Sequence, residues 1–208
     1  MKTRKLLPDV MRGFAAILVV LGHCIQECGG LEMRVCQYYW YSKPYQFIYS
    51  FHMPFFMLLT GYFAATGFSR AQKSFAFLRR RVLACLVPVF AMTALDFLRL
   101  FIEAKVKGVG LPYENIGDFF KTAYYSLWFL WAVAIFYIMV FIVNSTVGKL
   151  SFVWEFLVYI LIFLLLFVIT DDYNFHVYKF VYPFFVMGYT YYRYEDKIKA
   201  VYEKRKEA

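Results

Sequence analysis

The chain has 208 residues, is 62% hydrophobic, and contains 25 Phe and 19 Tyr. A water-soluble domain of this length has no use for so much apolar surface, so composition points to an all-α polytopic transmembrane helical bundle. The formal charge of +9 does not signal nucleic acid, because the basic residues fall in short clusters between apolar runs, the pattern of membrane topology.

Six spans are expected, at about 10–28, 45–66, 82–102, 126–143, 152–170 and 175–192, each near the ~20 residues that carry a helix across the hydrocarbon. The start, Met1-Lys-Thr-Arg-Lys5, has the outline of a secretory signal. Arg12 interrupts the apolar run and no Ala-x-Ala cleavage site follows, so the segment is expected to remain as the first span.

That span contains two ionisable residues, Arg12 and His23. Eleven steps of about 100° return His23 to within roughly 20° of Arg12, about 16 Å further along one helix face. Charge inside a bilayer segment is costly and usually lines a polar cavity or pathway. Arg12 reads either as a snorkelling topology anchor or as a guanidinium that binds a phosphate or a thioester carbonyl. His23 reads either as a hydrogen-bonding group between spans or as a general base, with Gln26 and Glu27 three and four residues on to orient or polarise its ring.

The second span carries His52, two residues before Pro54, where a missing N–H opens the backbone toward a cavity. Thr60-Gly61-Tyr62 on the same helix permits close packing. The connecting segment that follows holds Arg79, Arg80 and Arg81, either a topology signal or a landing place for an anionic cytoplasmic cofactor. Asp96 and Arg99 near the end of the third span form a local ion pair by spacing, with Asp96 at the depth of the histidines. Glu155 and the Asp171-Asp172 turn read as interfacial, and His176 falls in a short outward loop.

Cys24, Cys28, Cys36 and Cys85 lack metal-ligand spacing. They read as small buried hydrophobes, with a Cys28–Cys36 bridge in an outward loop as the alternative. No GxSxG, GxxxxGK[ST], HExxH or paired CxxC occurs, and no metal is expected. Sixteen of the 23 Lys and Arg fall before or within the start of span one, in 67–81, at Lys149, or from Arg193 onward. This bias puts both termini in the cytoplasm, in agreement with an even span count. It also sets both histidines in the outer half of the bilayer and Arg12 at the cytoplasmic mouth. The expected organisation is one membrane domain, 1–194, followed by a charged cytoplasmic tail, 195–208.

Asp9-x-x-Arg12-Gly13 with Gly22-His23 resembles the first-helix signature of membrane acyltransferase family 3, a basic residue and a histidine with ten residues between them. Phe51-His52-Met53-Pro54-x-Phe56 with Thr60-Gly61-Tyr62-Phe63 is similar to its second-helix motif, where serine often replaces Thr60. Arg79-Arg80-Arg81 leading to Pro88, Leu127-Trp128-Phe129-Leu130, and Tyr182-Pro183-Phe184-Phe185-x-x-Gly188-Tyr189 resemble further segments of the family, in family order.

The resemblance implies a multi-pass enzyme of a bacterial cytoplasmic membrane that moves an acyl group, usually acetyl from acetyl-CoA or another acyl-CoA, to a hydroxyl. Acceptors are typically sugars of cell-envelope glycans. It implies Arg12, His23 and His52 as catalytic residues, and Arg12, Arg79, Arg80 and Arg81 as the donor-binding set. The lipid bilayer and a hydroxyl acceptor are the expected partners, with a homo-oligomer or a partner subunit as a further expectation. Family members usually have about ten spans against the six expected here, so two other classes stay open. One is a truncated or non-catalytic membrane protein; the other is a small transporter relaying protons through its histidines.

Overall fold

A computed structural model describes residues 6–28, 38–71, 74–110, 113, 115–147, 152–169 and 175–206. Its elements are helical: α1 (Leu6–Cys28), a short 3-10 turn (Tyr38–Tyr41), α2 (Lys43–Arg70), α3 (Phe75–Lys107), α4 (Ile116–Ser126), α5 (Trp128–Thr146), α6 (Phe152–Val168) and α7 (Phe175–Lys206). No strand occurs among the described residues. The all-helical expectation therefore holds, as it must for backbone in hydrocarbon, where every N–H and C=O needs a partner within the segment.

Four helices are long and apolar enough to cross a membrane: α1 over Leu6–Glu27, α2, α3 and α5. At 17 residues, α6 is apolar but short. The last helix runs 32 residues, from the expected sixth span through the charged segment that follows it.

Three boundaries differ from expectation for local reasons. The Ser74 side chain accepts a hydrogen bond from the Ala76 N–H at 3.2 Å, so α3 starts well before the hydrocarbon segment. As a result Arg79, Arg80 and Arg81 stand on a helix and not in a loop. At its far end Gly108 takes φ 65°, and its N–H reaches back to Ala104 O, which closes α3. Then α4, where no helix was expected, begins at a capping box in which the side chains of Asn115 and Asp118 satisfy each other's backbone N–H groups.

The chain divides into two compact units, one of residues 1–66 and 181–208, the other of residues 67–180. In the first, α1 and the later part of α7 each pack on α2. Ala15, Leu18 and Gly22, spaced by three and four residues, form the buried face of α1, and a Cβ on Gly22 would stand 2.9 Å from the Tyr49 ring. Two glycines make the contact of α2 with α7. A Cβ on Gly61 would overlap the Phe185 carbonyl, and one on Gly188 would overlap the Leu58 carbonyl. Backbones this close need small residues on both sides. Tyr62 lies edge-on to Tyr192 at 5.0 Å beside the crossing.

The second unit is centred on α5, which buries Ala132, Val133, Ala134, Phe136, Tyr137, Val140, Val143 and Asn144. The Trp131 indole N–H donates to Ala123 O at 3.0 Å and ties α5 to α4. Phe90 of α3 packs against Phe119, Phe120 and Trp131. Glu155, expected at the interface, is instead fully buried, with the Tyr159 hydroxyl 3.4 Å from its carboxylate.

Candidate active site

The polar residues of α1 form a stripe. At 100° per residue Asp9, Arg12, His23 and Glu27 fall within an arc of roughly 60°. Arg12 and His23 are exposed, on the side of α1 away from Leu18. Gln26 lies at the edge between this stripe and the buried face, and there the two helices join chemically.

His23 Nδ1 is 3.0 Å from Gln26 Oε1. The Gln26 side-chain amide in turn donates from Nε2 to the Tyr45 hydroxyl on α2 at 2.8 Å. Tyr45 is fully buried and stacks on Tyr49 with centroids 4.0 Å apart. The Tyr49 and His52 rings meet in an edge-type contact with centroids 4.5 Å apart. An unbroken series, His23–Gln26–Tyr45–Tyr49–His52, thus places both histidines at the same end of the α1–α2 pair.

His52 is 2% exposed, and its Nδ1 lies 2.8 Å from the Ile48 carbonyl. A carbonyl oxygen only accepts, so Nδ1 carries the proton and Nε2 keeps its lone pair. The same reasoning applies to His23 against the Gln26 carbonyl oxygen. Both rings are therefore held with Nε2 as the basic nitrogen.

Arg12 sits at the opposite end of the pair. Its guanidinium carbon lies over the Phe63 ring at 5.2 Å. That contact engages one face of the group and leaves the N–H edges available to an anion. Arg12 thus rests on α2 directly, whereas His23 reaches α2 only through Gln26, about 16 Å away along α1. The structure joins His23 with His52 and separates Arg12 from them.

Arg79, Arg80 and Arg81 belong to the other unit and are exposed on α3, with Arg81 over the Phe77 ring at 5.0 Å. The expected Asp96–Arg99 pair forms at 2.8 Å and extends along α3 through Glu103 to Lys107. His176 lies on α7, not in a loop, and is exposed. Cys24 and Cys85 are free thiols, the first exposed and the second buried. Cys36, the side chain of Cys28 and the Asp171-Asp172 turn lie outside the described residues. Tyr45 is the site residue that sequence reading missed. Its only signal was an aromatic run, and its partner is nineteen positions away on another helix.

An all-helical chain with four helices long and apolar enough to cross a membrane, two of them linked by side-chain contacts that run from one histidine to the other, has the build of a polytopic membrane protein. A family model described as "Acyltransferase domain" matches residues 7–207, and the chain belongs to this family, the acyltransferase 3 family. It is 34% identical over 131 residues to nodulation protein NolL of Sinorhizobium fredii, covering 60% of this chain and 32% of that protein. To the protein of the same name from Mesorhizobium japonicum it is 29% identical over 153 residues, covering 73% of this chain and 38% of the relative. The matched region thus spans about a third of the length of these relatives. No solved structure gives a significant match.

Proposed function

We propose that the chain is a membrane O-acyltransferase site that moves an acetyl or other acyl group from an acyl-CoA to a hydroxyl of a cell-envelope glycan or similar acceptor. The observation that carries this reading is the pair of imidazoles at one end of α1 and α2, each with Nε2 basic, in a chain of an acyltransferase family.

In the proposed reaction His23 Nε2 takes the proton of the acceptor hydroxyl as its oxygen attacks the thioester carbonyl carbon. The new C–O bond forms, the tetrahedral centre collapses, the C–S bond breaks, and the imidazolium returns its proton to the departing thiolate. His52, with Nδ1–H committed to Ile48, offers a lone pair that accepts from a neighbouring hydroxyl of the acceptor and so orients it, since the single proton of the attacking hydroxyl goes to His23; in this state His52 has no proton for the carbonyl oxygen. At about 16 Å from His23, Arg12 serves a different part of the donor, and its free N–H edges suit the phosphates of a coenzyme A whose extended arm carries the thioester inward. The exposed Arg79, Arg80 and Arg81 supply further phosphate-binding charge in this reading.

The test pairs two variants of the whole chain in nanodiscs. Arg12→Ala should lose acetyl-CoA binding. His23→Ala should retain binding but lose acetyl transfer, followed as radioactive acetyl passing from acetyl-CoA to the glycolipid of the host membrane. Full transfer by His23→Ala would overturn the assigned base. Absence of acetyl-CoA binding to the well-folded chain would overturn the enzyme reading in favour of a non-catalytic membrane protein.

A further inference from the structure

The proposed reaction needs a lone pair on His23 Nε2, yet His23 is exposed. Its orientation is set by one contact, Nδ1 to Gln26 Oε1 at 3.0 Å. That contact is only as definite as the Gln26 amide itself. A glutamine whose amide rotates by half a turn presents NH2 in place of C=O and selects the opposite tautomer. What fixes the amide is Tyr45, whose hydroxyl also hydrogen-bonds Tyr49 and, with its proton given there, can only accept from Gln26. The Gln26 NH2 donates to its hydroxyl at 2.8 Å, which leaves the carbonyl oxygen for His23. The Tyr45 ring cannot swing away, being fully buried and enclosed by Tyr39 at 4.9 Å, Trp40 at 5.2 Å and Tyr49 at 4.0 Å. Rigidity thus passes from an aromatic cage at the start of α2, through one amide, to a histidine on α1.

We infer that Gln26 and Tyr45 are positioning residues for His23, and that together they hold it as the Nδ1–H tautomer with Nε2 free to act as base. The inference rests on the acyltransferase reading for its chemical purpose, though not for its geometry. A histidine's tautomer is commonly set by the hydrogen bond at its other nitrogen, and loss of such an orienting partner costs about 10- to 100-fold at metal-bound histidines. A carboxylate in place of the amide needs no anchor, since both its oxygens accept. Gln26→Glu should therefore maintain the tautomer even in a Tyr45→Phe background, where Gln26 alone should fail.

The experiment is nitrogen-15 NMR of histidine-labelled full chain in nanodiscs, with the His23 signals assigned by their loss in His23→Asn. Wild type should show Nδ1 at the protonated, pyrrole-type shift and Nε2 at the pyridine-type shift. Gln26→Leu and Tyr45→Phe should each give a mixture of tautomers, and Gln26→Glu with Tyr45→Phe should restore the wild-type pattern. Acetyl transfer measured in parallel should fall about 10- to 100-fold in Gln26→Leu with KM for acetyl-CoA unchanged. It should recover in the double variant. A wild-type ring protonated at Nε2, or a tautomer indifferent to Gln26→Leu, overturns the inference whatever the enzyme does. Full transfer by His23→Ala alongside the expected tautomer pattern overturns the acyltransferase assignment and leaves the positioning intact.

Discussion

His23 and His52 perform related roles in very different surroundings, and that difference is measurable. His23 is exposed, whereas His52 is 2% exposed and bonded to the Ile48 carbonyl. His23→Ala should leave the thermal midpoint in detergent almost unmoved, as surface changes stay within about 0.5 kcal/mol. His52→Ala should lower it by the equivalent of about 1–3 kcal/mol, because it opens a void and removes a buried hydrogen bond. Arg12→Lys keeps the charge but loses the planar group that lies on Phe63 and offers paired N–H donors. Acetyl-CoA affinity should fall about tenfold in that variant by titration calorimetry, as expected for one lost charge-assisted hydrogen bond. Much of this neighbourhood was legible beforehand. Spacing put Gln26 within reach of His23, and charge bias put the two histidines at one depth. Tyr45 was not legible, because its role arises only when α2 packs on α1.

At the scale of elements, small residues decide which helices touch. Gly61→Ala and Gly188→Ala each force a methyl group into a carbonyl of the facing helix. Each should destabilise by about 1–3 kcal/mol or more, since backbone on both sides resists displacement. Gly13→Ala is the internal control: nothing lies within 4 Å of its Cβ position, so removing a helical glycine should be neutral or stabilising by up to about 1 kcal/mol. Comparing the three thermal midpoints tests the crossing directly. For α4, Asn115→Ala removes one half of its capping box and should cost about 1 kcal/mol, seen as faster amide exchange confined to Ile116–Ser126. The Asn115-x-x-Asp118 signature was present in the sequence but lay in a segment taken for a connection. The arginine run on α3 was misplaced because clustered charge marks the membrane surface, and a helix is free to continue past that surface.

For the whole molecule the open quantity is parity. Four helices cross by length and composition, and α4, at 11 residues, spans about 16 Å, too little for the hydrocarbon. Both termini share a side only if α6 and α7 cross together or not at all. The basic residues from Arg193 onward favour a cytoplasmic C-terminus, and hence α6 and α7 crossing together or not at all. A green fluorescent protein fused after Ala208 should therefore fluoresce, and alkaline phosphatase at the same point should be inactive. Active phosphatase would mean that just one of α6 and α7 crosses. The helical class followed from composition alone. The division into two units did not, because it falls inside α2 and α7, where no change of composition marks it.

The glycine crossing also sets an order in time. Leu58 and Gly61 leave the ribosome more than a hundred residues before Phe185 and Gly188. During synthesis the hairpin bearing both histidines therefore waits in the bilayer without its third helix while the entire second unit is made. Contacts so distant in sequence form late and slowly. The segment that completes the histidine-bearing unit emerges only after the whole second unit, so newly made molecules carry an assembled second unit before an assembled site. A premature stop between residues 147 and 181 would spare all four helices long enough to cross a membrane and still leave that site without its clamp.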